Sequence, residues 1–213
     1  MKKTNLLILT LLAFVASSAN AGLITYTDRT SFETANPGLA NEDFEDVINI
    51  SQVLAGTNIE PGLSLALTSG TDAYFATPGQ SSNPTNAIGV NTPRSEGWEL
   101  TFSSNVTAVG VDIFQNNGGG AQFGQDIFAA VDVFGNGGLL GSFLATIPSG
   151  QAGFFGVTSD SDLITSITIN ERNSFDVIDN VSFGSASSVP EPATITLLGL
   201  GLLGFGLSKR RKS

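Results

Sequence analysis

A chain of 213 residues with neither cysteine nor histidine excludes disulfides, thiolate chemistry, histidine-bound zinc and serine-histidine-acid triads. Six of its nine bases stand at the two ends (Lys2, Lys3, Lys209, Arg210, Arg211, Lys212), so residues 22–189 hold only Arg29, Arg94 and Arg172 against eighteen carboxylates, a net −15. Such a domain disfavours nucleic acid and anionic lipid, has no lysine for catalysis, and welcomes divalent cations.

In chain order, Met1-Lys2-Lys3 gives a positive start, Leu6 to Val15 an apolar run, and Ala19-Asn20-Ala21 a small-residue cleavage site. This is the pattern of a secretory signal peptide over residues 1–21. The exported part that follows has a one-domain length. A short helix is predicted over Ser31 to Asn36, capped by Asp28 or Thr30, with Phe32 turned inward. Beyond it the pattern is β. Val109, Val111 and Ile113 alternate with Gly110, Asp112 and Phe114, and Ala129, Val131 and Val133 with Ala130, Asp132 and Phe134. Trp98 to Phe102 and Ile164 to Ile169 read the same way. Gly135-Asn136-Gly137-Gly138 predicts a hairpin joining 129–134 to 139–144. Many short strands with glycine-rich turns indicate an all-β sandwich over residues 22–185.

The chain closes with Val189-Pro190-Glu191-Pro192, the apolar run Ala193 to Leu207, and four bases. The two prolines hold the triplet extended, so helix starts near Ala193. Fifteen residues rise about 22 Å against a hydrocarbon core of about 30 Å, a marginal single transmembrane helix suited to a transient anchor. The basic end stays cytoplasmic and everything before Pro190 lies outside. Gly199-Leu200-Gly201-Leu202-Leu203-Gly204 has the spacing of a dinucleotide fingerprint, but without a preceding strand it serves close helix approach instead.

This order of Pro190-Glu191-Pro192, short apolar segment and basic tail, within residues 186–213, closely resembles the PEP-CTERM sorting signal of exopolysaccharide-producing bacteria. The resemblance implies an exosortase-type enzyme as partner, processing at the inner membrane, and delivery to the cell surface or extracellular matrix. The succession Thr30-Ser31-Phe32, Asp43-Phe44-Glu45, Leu100-Thr101-Phe102, Val109-Gly110-Val111-Asp112, Phe155-Gly156-Val157 and Ile178-Asp179-Asn180-Val181 is similar to ectodomains of PEP-CTERM proteins. Its Asp-Phe-Glu and Asp-Asn-Val pieces are similar to the neighbouring first and last strands of carbohydrate-binding jelly rolls. A jelly-roll-like sandwich is therefore the expected fold.

In several such modules those strands hold a structural calcium, which carries over here to Asp43, Glu45 and Asp179. Asp179 shares strand parity with Val177, Val181 and Phe183, so its carboxylate should point to the apolar side, where a cation, an arginine or backbone amides must meet it. Asp160-Ser161-Asp162 lacks the rest of an EF-hand loop and reads as a polar turn. Trp98 falls on the parity of Leu100 and Phe102 and reads as core rather than as a sugar platform. Tyr26, Tyr74 and Phe75 could stack on a sugar, and the loop Gln115 to Gln125 could meet ligand hydroxyls. No carboxylate pair stands out as a buried acid beside a base, so no catalytic residue is assigned. The expected function is non-catalytic, an exported protein associated with exopolysaccharide or biofilm matrix. The alternatives are a calcium-stabilised carbohydrate-binding module with a defined glycan, and a glycoside hydrolase.

Overall fold

The computed structural model describes residues 22–46, 60–69, 73–78, 80, 83–90, 97–115, 125–160, 163–171 and 176–185. The signal peptide, the expected transmembrane helix and the Pro190-Glu191-Pro192 triplet lie outside them. In chain order the elements are β1 (Leu23–Tyr26), α1 (Arg29–Ala35), β2 (Ala40–Glu42), β3 (Leu63–Leu67), β4 (Ala73–Ala76), β5 (Ala87–Val90), β6 (Trp98–Val106), β7 (Ala108–Gln115), β8 (Ile127–Gly135), β9 (Gly138–Ile147), β10 (Gly153–Ser159), β11 (Ile164–Glu171) and β12 (Asp176–Gly184).

Two antiparallel sheets face each other. The larger runs β1-β10-β7-β12-β5-β4, with β2 added to β12, and the smaller runs β3-β6-β11-β8-β9. The period-two strands send one parity between the sheets: Val109, Val111 and Ile113 from β7 meet Trp98, Leu100, Val131, Val133, Ile167 and Ile169 in one buried cluster. Trp98 is fully buried there, as its parity predicts. The expected hairpin is present as β8 and β9, turning at Asn136-Gly137, with Gly138 at φ 107° where a side chain would be strained.

Helix α1 begins at Arg29, two residues before the expected Ser31, from the first of its two predicted caps. Asp28 is its N-cap and accepts from the Ser31 amide at 2.8 Å, a bond that holds the Asp28 carboxyl below its ordinary range. Phe32 is buried, though not between the sheets: it lies on the outside of the larger sheet with Ala108 and Phe154. Two glycines make room for it. Gly110 and Gly156 are cross-strand partners on β7 and β10, and a Cβ on either would come within 2.6 or 2.8 Å of the Phe32 ring.

Candidate functional site

Strand β12 changes partner along its length. Val177 and Ile178 pair with Gly89 and Ile88 of β5, whereas Val181 to Phe183 pair with Glu42 to Ala40 of β2. At the changeover the register on β7 shifts between Asp179 and Ser182, and Asn180 takes a left-handed φ of 49°. Two residues past β2 stands a second such residue, Phe44 at φ 54°, fully buried, with its amide donating to Glu42 Oε1 at 2.6 Å. Left-handed backbone in non-glycine residues is costly and persists only where surroundings enforce it.

The irregularity at Asn180 overturns the simple parity of the last strand. Ile178, Val181 and Phe183 enter the core between the sheets, while Val177 joins a separate cluster under Tyr74 and Phe114. Asp179 therefore sits on the outer side of the larger sheet, directly across from Asp112 of β7. It is still buried, at 1% exposure. The correction has a physical cause: one extra residue in a strand inverts every side chain beyond it. Likewise Asp43-Phe44-Glu45 is not itself a strand. It follows β2, although β2 does neighbour β12 as the resemblance implies.

One loop connects the two carboxylates. Asp179 accepts from Asn83 Nδ2 at 2.8 Å, from Thr85 Oγ1 at 3.0 Å and from the Asn180 amide at 2.7 Å. Glu45 accepts from the Asn86 amide at 2.8 Å and from Asn86 Nδ2 at 3.0 Å. Asp43 turns back to accept from the Glu45 amide at 3.2 Å. Thus Glu45 and Asp179 hold the two ends of residues 83–86, and Asp43 shapes the turn before them. Among the described residues no three acids converge closely enough to hold a metal by carboxylates alone.

Asn83, Thr85 and Asn180, the described partners of Asp179, are all neutral. Burial, with Asp112 nearby, raises its carboxyl to about 6 despite these bonds and a fourth from Asn180 Nδ2 at 3.3 Å. Asp112 has the cation instead. Arg29 Nε donates to both Asp112 oxygens at 3.1 and 3.2 Å, Nη1 donates to Ser182 Oγ at 2.9 Å, and Nη2 donates to the Asn180 carbonyl. The guanidinium also lies 5.0 Å from the centre of the Phe154 ring. Burial still outweighs that pairing and leaves the Asp112 carboxyl raised. Glu42 rises further, to about 7, because it is buried and faces Asp46, Glu60 and Asp43. Sequence reading counted Arg29 only as scarce charge and overlooked Glu42 and Asp112. The scarcity was the available signal, since an acidic domain spends its few bases where carboxylates are enclosed.

The other candidates disperse. Tyr26 packs edge-on against Phe32, Tyr74 lies across Gly89 and Phe75 packs on the core, so the three aromatics form no common platform. Gln115 is buried and donates to the carbonyls of Gln125 at 2.7 Å and Ile147 at 3.4 Å, closing the base of a loop whose residues 116–124 lie outside the described ones. Asp160 follows the end of β10 at Ser159, and Ser161 and Asp162 are not among the described residues.

Residues 188–212 match the PEP-CTERM protein-sorting motif. The chain is thus an exported protein sorted through an exosortase-type enzyme, held by its C-terminal membrane region before processing to the cell surface. No curated protein matches the sequence. Among solved structures the chain is similar to the CBM22-1 xylan-binding domain of Paenibacillus barcinonensis Xyn10C, at 10% identity over 73% of this chain and 98% of that one, with a TM-score of 0.48. It is similar to the CBM22-1–GH10 modules of Clostridium thermocellum Xyn10B, at 15% identity over 68% of this chain and 28% of that one, with a TM-score of 0.40. A family 11 carbohydrate-binding module from Clostridium thermocellum gives 16% identity over 70% and 98%, with a TM-score of 0.32. The sandwich itself rests on the strand register given above.

Proposed function

We propose that the PEP-CTERM tail delivers a non-catalytic domain that associates with matrix polysaccharide through the outer face of its smaller sheet. The observation that carries this reading is the composition of that face. Register places Ser64, Thr101, Ser166, Phe134 and Leu139 in one transverse row and Ala66, Glu99, Thr168, Asp132 and Ser142 in the next. Five strands at about 4.8 Å make each row about 19 Å wide. Hydroxyls beside apolar carbons match what a polysaccharide presents, its hydroxyls and its C–H faces. The enclosed carboxylates support the non-catalytic reading, because Asp112 and Asp179 lie beneath α1 and residues 83–86 with their oxygens engaged. Retention of the exported domain on the producing strain's own polysaccharide tests it. Phe134→Ala and Thr168→Ala should each lower retention, and unchanged retention of both would remove the face from consideration. Release of reducing sugar by the wild type would favour the glycosidase alternative instead.

A structural calcium at Asp179 and Glu45 belongs to the same proposal. The residues suit it chemically: a buried carboxylate whose described partners are all neutral, a second carboxylate, Glu45, bonded to the other end of the same loop, and oxygens of residues 83–86 to complete the six to eight that calcium takes. When bound, the ion would compensate the Asp179 charge and tie β2, β5 and β12 together. Calcium at about a hundred times its Kd should add roughly 2.7 kcal/mol, or about 5 to 11 °C in melting temperature. Asp179→Asn should abolish most of that rise while costing little in chelator. Equal melting of the wild type in calcium and in chelator would refute the metal.

A further inference from the structure

Strand β9 ends the smaller sheet and, among the described strands, is hydrogen-bonded only to β8. Its sequence, Gly138-Leu-Leu-Gly-Ser-Phe-Leu-Ala-Thr-Ile147, contains no charge and no proline. Edge strands are ordinarily protected by such residues or by a bulge. The one irregularity here lies near the turn, between Val133 and Phe134 of the partner strand, and leaves Gly141 to Ile147 in continuous register. That stretch carries no charge, proline or bulge to blunt the edge, and among the described residues its end is approached where Gln115 donates to the Ile147 carbonyl and Gly153 packs against Thr146 and Ile147.

The exposed apolar side chains gather on the same flank. Among the described residues the large ones are Phe128 at 44%, Leu139 at 58%, Leu144 at 59% and Ile24 at 48%. Three belong to the β8–β9 hairpin. The fourth is on β1, the terminal strand of the other sheet, whose Leu23 comes within 3.1 Å of a Cβ built on Gly141. The opposite edge of the smaller sheet, β3, turns Leu63 and Leu65 into the core and has no comparable patch.

We propose that β9 is the docking edge for a second copy of this chain, paired antiparallel about a two-fold axis so that two five-stranded sheets join into one. Charge selects this occupant. A domain at −15 repels its own copies over most of its surface, and this ten-residue edge is a stretch where two copies meet without bringing acid against acid. A cationic partner would find no carboxylate on the strand to recognise. A two-fold contact also needs a self-complementary strand. Pairing centred on Leu144 sets the two Leu144 side chains opposite each other and Ser142 against Thr146, and it covers the hydrogen-bonding groups that the edge leaves open. The outer faces of the two sheets become continuous. The inference stands apart from the polysaccharide reading, since a dimer that binds no glycan would satisfy it.

Sedimentation of the exported domain, residues 22–185, over a concentration series tests it, because the described strands of both sheets lie within that range. The wild type should dimerise, and more tightly in high salt, which screens the like charges. Leu144→Lys should weaken the dimer roughly tenfold or more by placing two cations opposite each other. Ala66→Lys makes the same charge change on the far edge and should leave the dimer intact. Because the chain lacks cysteine, Leu144→Cys should give a disulfide-linked dimer on oxidation while Ala66→Cys should dimerise as the wild type does without a disulfide across the contact. A monomeric wild type at all concentrations and salts overturns the proposal, as does a Leu144→Lys dimer of unchanged affinity. If the wild type is monomeric and Leu144→Lys instead loses polysaccharide retention, the edge is a glycan surface and the proposal falls.

Discussion

Arg29 holds three strands through one side chain: Asp112 on β7, Ser182 and the Asn180 carbonyl on β12, and the face of Phe154 on β10. Its removal leaves the half-buried Asp112 without a cation, and an unpaired charge so enclosed is more costly than the pair was favourable. Arg29→Met should therefore lower unfolding free energy by about 2 to 4 kcal/mol in urea. Adding Asp112→Asn should restore part of that loss, a coupling that a double-mutant cycle measures. Glu42 and Asp179 have carboxyls raised by burial as Asp112 does, but have no cation among their described partners. Both hold their proton more tightly folded than unfolded, from ordinary values of 4.5 and 3.8 to about 7 and about 6. Their contribution to stability is complete below pH 4 and is lost as pH rises through 6 and 7. In chelator the domain should thus melt higher at pH 5 than at pH 8. Glu42→Gln should raise the pH 8 melting temperature and leave the pH 5 value nearly unchanged, since the amide oxygen still accepts from Phe44.

The elements differ in how openly the sequence declares them. Strands β7 and β8 are long enough for a two-residue period to show, and the Asn136-Gly137 turn fixes β9 as the hairpin neighbour of β8. Strands β1, β2, β4 and β5 are three or four residues each, too short to carry a period, and exist because distant strands offer them ladder partners. The seat of α1 was equally hidden. That Phe32 would be buried follows from the helix period, but the two glycines that receive it are 46 residues apart on adjacent strands, Gly110 and Gly156. Gly110→Ala should cost about 1 to 3 kcal/mol through overpacking against Phe32. Phe32→Leu in the same chain should recover part of it, and thermal melts of the three variants would show whether the helix rests on that seat.

For the whole molecule, sorting and folding are carried by separate stretches. The matched motif lies at residues 188–212, after the last described strand ends at Gly184. Glu191→Ala should accordingly leave uncleaved precursor in the inner membrane while the domain retains its normal melting temperature. A Ser187→Ala control should be processed as the wild type is. Immunoblots of membrane and surface fractions give the result, and normal release of the Glu191 variant would exclude recognition of the triplet.

Export, the sandwich class, the buried Trp98 and the capped helix were all determined by the sequence alone, because each depends on local features: a linear tag, a two-residue period, a cap beside its helix. The same holds for the acidity of the domain and the scarcity of its bases. What only the tertiary structure decided is where the charges go. A left-handed residue at Asn180 turns Asp179 away from the main core, brings it opposite Asp112, and delivers Asn83 and Thr85 to it from 96 and 94 residues away in sequence. No pattern along the chain encodes that meeting. It arises because β12 must serve two short partners on one edge, and the irregularity that lets it do so resets the direction of every side chain that follows.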